Sequence, residues 1–250
     1  MPHTLVPDGS IATPGGLRMT GIHCGLKPTR DRDLGLVVSR APCAAALHVP
    51  AQPGPVDAWT KAALGAKPQL RAVLTFSGCA AGTPAEAEAV CRELAAALAD
   101  EAAIKPEQVA ILAAGSGPAL DLDVLRKAVP RALDELDSKG DRRLGLALAL
   151  DDTPYRAAAA ELALGAATVQ IGGIAAGGRA LIASNANLSS PLLQRALDAA
   201  LAAQPAWQAA TVLVLAHGAA QPDPIARAAS AEFKAWQAAL AAVLENLAAA

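Results

Sequence analysis

A glycine-rich stretch is the first part of this sequence whose residue types suggest chemistry. It contains Gly172, Gly173, Gly177 and Gly178, with apolar residues between the two pairs. Backbone N–H groups of glycine-rich loops cradle phosphates when the loop ends in G-K-[ST] or follows the order G-x-G-x-x-G, and neither pattern is present here. We therefore interpret the stretch as a close-packed turn between two strands.

Acid–base and nucleophilic chemistry have few candidates. His217 ends an apolar segment and forms no evident motif with a Ser, Cys or acid, which favours a structural role. The acidic pair that ends in Asp152 also ends an apolar segment, where Asp152 or Thr153 is equally suited to cap a helix. Thr211 follows Ala210 but enters an apolar strand. These patterns assign no catalytic residue.

The cysteines do not indicate a metal centre. Cys24 lies beside His23 and Cys43 lies near His48, but neither spacing matches a zinc pattern. The sequence therefore predicts neither a metal nor another cofactor. Four cysteines without a C-x-x-C pair are typical of reduced thiols in an intracellular protein.

Composition limits the class of protein. The 250 residues fit one large domain or two small ones, and 53% hydrophobic residues with only 2% aromatics predict close-packed helices on a Leu- and Val-rich core. A net charge of −2 gives no reason to expect nucleic acid or an anionic membrane as partner. No apolar run is long enough to insert into a membrane, and the start lacks a secretory pattern. We expect a soluble intracellular protein, in the cytoplasm or the mitochondrial matrix.

The elements that would position these residues alternate between strands and helices, which favours an α/β (α+β) layered fold. Apolar runs predict strands at 34–39, 44–49, 70–76, 109–113, 144–150, 167–171, 180–183 and 211–216. Helical periodicity predicts helices at 84–100, 122–136 with a bend at Pro130, 154–164, 190–203 and 225–247. The first helix has a capping box formed by Thr83 and Glu86. We expect residues 1–16 to be a flexible segment and 17–250 to form a single domain.

Several segments, in their order along the chain, are similar to the ornithine acetyltransferase family. Gly25-Leu26-Lys27 resembles the G-[IL]-K turn near that family's start, and residues 33–37 resemble its first strand, D-L-A-L-I. The strand leading to Ser77-Gly78 is similar to the one that ends in N-S-G-N-A-N. Residues 109–115 resemble the strand that leads to S-T-G, and residues 171–178 resemble G-G-[IM]-A-K-G-S-G.

The same comparison shows that four site elements of the family are altered. Phe76 stands in place of the first Asn, and Ala114 in place of the Thr that the family uses in its oxyanion hole, so only Gly115 keeps a backbone donor. Ala176 replaces the Lys. The loop that follows in the family, P-x-M-A-T-M-L, has no counterpart. Its Thr is the nucleophile that self-cleavage of the Ala-Thr bond frees, so the resemblance implies a scaffold without its nucleophile.

The resemblance implies an αββα sandwich that lacks the family's C-terminal domain. It also implies a remnant pocket in which the family's polar groups survive only in part. The residues at the matching positions are Ser77, Gly78, Ala114, Gly115, Asp152, Thr153 and Gly177.

Two functional hypotheses follow. The first is a catalytically inactive relative that serves as a structural or interaction subunit, with other protein subunits or further copies of itself as partners. The alternative is an active acetyltransferase of arginine biosynthesis, which moves the acetyl group from N-acetylornithine to glutamate. We favour the first because the Asn pair, the oxyanion Thr, the Lys and the nucleophile loop are altered together.

Overall fold

The apolar runs of the sequence assemble into one large sheet between layers of helices. The computed structural model describes residues 2–66, 69–80, 82–115, 121–150, 154–221 and 223–248. In this part of the chain the fold is a mixed α/β sandwich on a nine-stranded sheet, which confirms the fold class expected from the sequence.

The strands follow the order β1-β6-β7-β8-β9-β3-β4-β5, and β2 pairs with β3 beside this path. Pairs β4–β5 and β8–β9 are parallel, and the other pairs are antiparallel. The strands are β1 His3–Leu5, β2 Leu17–Ile22, β3 Leu34–His48, β4 Gln69–Ser77, β5 Val109–Ala114, β6 Arg156–Leu164, β7 Ala167–Ala176, β8 Arg179–Ser184 and β9 Thr211–Ala216. The helices are α1 Pro55–Ala66, α2 Pro84–Ala102, α3 Leu122–Asp134, α4 Asp141–Leu148, α5 Ser190–Ala202 and α6 Ala231–Ala248, with 3-10 turns at Pro106–Gln108 and Pro205–Trp207.

The long strand β3 joins the two halves of the sheet. Its first part pairs with β2 and β4, and its second part pairs with β9, with a register shift between Val38 and Cys43. Helices α2 and α3 cover one half of the sheet, while α5 and α6 cover the other. A third core lies between the two halves and includes Leu144 and Leu148 of α4.

Two predicted elements have the opposite secondary structure. Residues 144–150, predicted as a strand, belong mostly to helix α4, because a short apolar run fits a buried helix as well as a buried strand. Residues 154–164, predicted as a helix, contain strand β6, which pairs with β1 and β7. Its alanines favour a helix locally, and pairing within the sheet overrides that preference. Thr153, the expected cap, lies outside the described residues.

Other boundaries differ in ways that the tertiary structure explains. The strands predicted at 34–39 and 44–49 are one bulged strand, β3, and the last helix begins at Ala231 because the segment before it forms a bridge through Ile225.

Helix α1 and strand β2 were not predicted. Helix α1 covers the edge of β5, where the Thr60 hydroxyl donates to the carbonyl of Ile111 and accepts from its N–H. The capping box at Thr83 is confirmed.

The N-terminal segment packs onto the sheet, in contrast to the flexible segment expected over residues 1–16. Strand β1 pairs with β6, and Ile11 is fully buried. Gly172 lies within β7 and leaves room for this segment, because a β carbon built there would lie 1.9 Å from the carbonyl oxygen of Ser10. Glycine at this position therefore allows the backbone of the N-terminal segment to lie close to β7. No helix among the described ranges is long and apolar enough to cross a bilayer.

Helix α4 lies unusually close to the strands beneath it. A β carbon built on Gly21 would lie 2.0 Å from the carbonyl oxygen of Arg143, and one on Gly35 would lie 2.7 Å from Cδ1 of Leu144. A backbone atom cannot move aside as a flexible side chain can. The glycine of β2, Gly21, is therefore a condition for docking α4 between the two halves of the sheet.

We expect Gly21→Ala to lower the free energy of unfolding by about 3 kcal/mol, because α4 must move away from β2. Gly65→Ala is a matched control, since its new β carbon meets no atom within 4 Å in helix α1. That change should raise the free energy of unfolding by about 0.5 kcal/mol. Urea denaturation of both variants measures the difference, and equal stability of the two would show that α4 does not require the close approach.

Candidate functional site

Four of the predicted pocket residues meet at the carboxyl ends of β4 and β5. Ser77 pairs with Ala114 in the parallel ladder, and the Gly78 N–H donates to the Ala114 carbonyl at 3.0 Å. Gly78 and Gly115 both have positive φ, +88° and +126°, and a β carbon on Gly115 would lie 2.9 Å from the Gly78 nitrogen. The sequence thus identified residues that the fold brings together. Asp152 and Thr153 lie outside the described residues.

The end of α4 fills the space beside these residues. Ser77 is fully buried, and its hydroxyl donates to the carbonyl of Ala147 at 2.7 Å. On another side, a β carbon built on Gly177 would lie 3.0 Å from Cγ and Cδ1 of Leu150. Ser77 and Gly177 therefore both contact the α4 terminus. The only hydroxyl among the described pocket residues is engaged in holding a helix end.

Lys27 supplies the charge that this helix end requires. Its side chain is almost fully buried, at 4% exposure. Its ammonium donates to the carbonyls of Arg32 at 2.7 Å, Ala149 at 2.7 Å and Leu146 at 3.4 Å. A cation at the carboxyl end of a helix is favourable, because it meets unpaired carbonyls and the negative end of the helix dipole. The sequence identified Lys27 only as part of the opening turn and missed this contact.

Asp33 holds the loop that carries Lys27. Its buried carboxylate accepts from the backbone N–H groups of Cys24, Gly25, Leu26 and Lys27 at 2.7–3.2 Å. Burial by itself raises the pKa of this carboxyl, but the N–H groups, first that of Cys24, outweigh it and hold the pKa below the usual 3.8. An aspartate just before a strand gave no sequence signal for this role.

The cysteines near the site are not activated thiols. Burial, reinforced by the charge of Asp33, raises the pKa of Cys24 strongly and that of Cys79 to about 12. Burial and the charge of Asp57 raise the pKa of Cys91 to about 12. The thiolate is the nucleophilic form, so these side chains remain unreactive at neutral pH. Among the described residues no group of His, Cys, Asp and Glu side chains has the arrangement of a metal site.

A two-residue hairpin connects β7 to β8, at the point where the resemblance places the nucleophile loop. Ala176 pairs directly with Arg179, and the residues between them, Gly177 and Gly178, have φ of +56° and +73°. Positive φ at both central residues is typical of a type I′ turn, the tightest common hairpin. This connection has no room for a further loop.

A buried ion pair fixes the hairpin to α1. Arg179 lies 3.7 Å from Asp57, and its Nη1 donates to the carbonyl of Gly177 at 3.1 Å. Burial lowers the pKa of Arg179, and the charge of Asp57 partly opposes this. Asp57 Oδ1 and Arg179 Nε are buried and have no partner among the described residues. Neither side chain was identified as functional from the sequence.

His217 follows β9 and packs away from this region. A β carbon on Gly16 would lie 2.6 Å from its Cε1 atom, and its buried Nε2 has no partner within the described ranges. Burial lowers the pKa of His217, with the Gly15 backbone partly opposing. The ring is therefore mostly neutral at pH 7.

We expect Asp33→Asn to lower the free energy of unfolding by about 3 kcal/mol at pH 7, because four N–H donors lose a charged acceptor. The lowered pKa means that the contribution of Asp33 is complete above pH 3.8 and is lost as the pH falls from there through the folded-state value. Denaturation curves should therefore show that the difference in free energy of unfolding between parent and variant becomes smaller below pH 3.8. Asp134→Asn, an exposed control, should change stability by less than about 0.5 kcal/mol. A difference in free energy of unfolding that does not depend on pH would show that the charge of Asp33 is not what stabilises the loop.

We expect Asp57→Asn to lower the free energy of unfolding by about 2 kcal/mol, because it leaves the Arg179 guanidinium partly buried without a counter-charge. The double variant Asp57→Leu with Arg179→Met removes both charges and should be more stable than Asp57→Asn. A thermodynamic cycle of the parent, Asp57→Leu, Arg179→Met and the double variant measures the coupling. Additive effects of the two changes would show that the pair does not hold the hairpin.

Comparison with known proteins places this geometry in a family. The ArgJ family model matches residues 18–250. The arginine biosynthesis bifunctional protein ArgJ 1 of Nostoc sp. is 31% identical over 265 aligned residues, which cover 96% of this chain and 63% of the relative. The ArgJ protein of Synechococcus sp. is 32% identical, over 80% of this chain and 48% of the relative. The chain thus spans about half to just under two thirds of the length of these relatives.

Solved structures show the same fold. The ArgJ protein of Bacillus halodurans has a TM-score of 0.63 at 22% identity, covering 70% of this chain and 94% of that chain. The ornithine acetyltransferase of Mycobacterium tuberculosis has a TM-score of 0.60 at 25% identity, covering 70% and 95%. A Burkholderia sp. β-aminopeptidase has a TM-score of 0.64 at 16% identity and covers 99% of this chain, which is a likeness of fold alone.

Proposed function

Because the chain belongs to the ArgJ family, we propose that it is a member without acetyl-transfer activity that serves as a structural or interaction subunit of a larger assembly. We place it in a soluble compartment of the cell, the cytoplasm or the mitochondrial matrix. The observation that carries the proposal is the two-residue hairpin between β7 and β8.

The hairpin matters for catalysis because the self-cleavage that the family resemblance implies depends on a loop at this point. A Thr freed at a new N-terminus uses its own amine as the base, so the Ala-Thr bond must lie in a loop that is accessible to cleavage. Here Ala176 of β7 pairs directly with Arg179 of β8. Gly177 and Gly178 complete the turn and offer no hydroxyl.

The surrounding residues support the same interpretation. Ala114 brings no hydroxyl to the expected oxyanion hole, and removal of one such donor alone costs about 10²–10³ in rate. The Ser77 hydroxyl and the Lys27 ammonium both donate to carbonyls at the end of α4. The residues at the family's site positions thus stabilise the scaffold.

An interaction role is supported by the edge of the sheet. Strand β1 lies at the end of the strand order and pairs only with β6 among the described strands. It carries Leu5, which at 45% is one of two exposed large hydrophobic side chains in the described part of the chain. An unpaired strand edge with an exposed apolar side chain is suited to pairing with another chain.

We expect the purified protein to remain one chain of 25.1 kDa by intact mass spectrometry and to transfer no acetyl group from N-acetylornithine to glutamate. Ala114→Thr should not restore activity, because it returns an oxyanion donor without a nucleophile. Two fragments, or turnover above a denatured control, would instead support an active acetyltransferase. The native mass of the protein taken from its own source tests the subunit role, and a monomer without partners would contradict it.

A further inference from the structure

A cleft of about 600 Å³ opens beside the bulge in β3, separate from the region around Ser77. Three arginines from adjacent strands line it: Arg18 of β2, Arg40 of β3 and Arg71 of β4. The register shift between Val38 and Cys43 takes residue 40 out of the β3–β4 ladder. Bulges of this kind redirect side chains, and here the bulge adds Arg40 to the same cleft as the other two.

None of these arginines has a carboxylate partner within the described ranges. Other arginines of the chain do: Arg92 pairs with Glu88, Arg126 with Glu93, Arg143 with Asp137 and Arg179 with Asp57. Guanidinium groups that share one cleft repel one another, so without a shared anion the arrangement costs free energy. A chain with a net charge of −2 has enough carboxylates to pair these groups, but none in the described part of the chain forms an ion pair with them.

Two of the three guanidinium groups are already held in place. Arg71 donates from Nε and Nη2 to the carbonyl of Ser39 at 3.2 and 3.1 Å, and Arg18 donates from Nη2 to the carbonyl of Leu136 at 2.6 Å. These bonds leave Nη1 of both arginines for a ligand. Side chains fixed before binding lose less entropy on binding, which raises affinity.

One carboxylate shares the cleft and does not neutralise it. Asp137 lies 3.7 Å from Arg143 and accepts from the Lys139 N–H at 3.1 Å. The Lys139 N–H, more than the charge of Arg143, lowers the pKa of this exposed carboxyl, so it stays ionised and directed to those partners. The lining therefore keeps an excess of positive charge.

We propose that this cleft binds a small molecule through a phosphoryl group. Three guanidinium groups offer more N–H donors than the two oxygens of a carboxylate accept, whereas a phosphoryl group has three acceptor oxygens and close to two charges. The charge is confined to one cleft, and none of its described lining residues is aromatic, so nothing here provides the stacking or the long basic track of a nucleic-acid site. The proposal does not depend on whether the protein is an acetyltransferase.

The test is isothermal titration calorimetry of the full chain with pyrophosphate, with inorganic phosphate and, as a carboxylate probe, with citrate, at an ionic strength held constant with sodium chloride. We expect saturable binding of one ligand per chain. Arg40→Gln should weaken the binding about tenfold or more, because it removes a charge-assisted hydrogen bond. Arg40 has no side-chain bond within the described ranges, so the variant should keep the parent's melting temperature. Arg92→Gln, on α2, is the matched control and should bind as the parent does.

Three results would overturn the proposal. The first is no saturable binding of either probe. The second is equal weakening by Arg40→Gln and Arg92→Gln, which would indicate general attraction to a charged surface. The third is binding of citrate without binding of pyrophosphate, which would assign the cleft to carboxylates.

Discussion

The burial of a helix end between the two halves of the sheet is the constraint on which the site and much of the core depend. The last carbonyls of a helix have no partner within it, and away from water each needs a donor. At the end of α4, Lys27 and Ser77 provide these donors. Asp33 in turn fixes the loop that carries Lys27. A chain of polar contacts thus connects the start of β3 to the centre of the sandwich.

Close packing against the sheet explains the position of three glycines in the strands. Gly21 and Gly35 lie under α4, and Gly172 lies under the N-terminal segment. In each case a side chain would collide with an atom of the packed element. The glycines of the stretch 172–178 therefore have two roles, close approach at Gly172 within β7 and the turn at Gly177 after it, although they form one stretch in the sequence.

The proposed loss of function is compatible with this architecture. The hairpin keeps β7 and β8 paired, and neither Gly177 nor Gly178 belongs to the three hydrophobic cores. Loop length has a small effect on stability compared with core packing. The fold can therefore persist in a member of the family in which the residues at the site positions contribute to stability.

The sequence by itself determined the layered fold class, the capped start of α2 and the apolar strands β5 and β9. These features depend on local periodicity, capping residues and the order of segments along the chain. Only the tertiary structure decided that 144–148 is helical and 156–164 extended, since a short apolar run and an alanine-rich run each satisfy either conformation until their neighbours are in place. It also decided the roles of Lys27, Asp33, Asp57 and Arg179, because a buried charge is defined by partners that lie far away in the sequence.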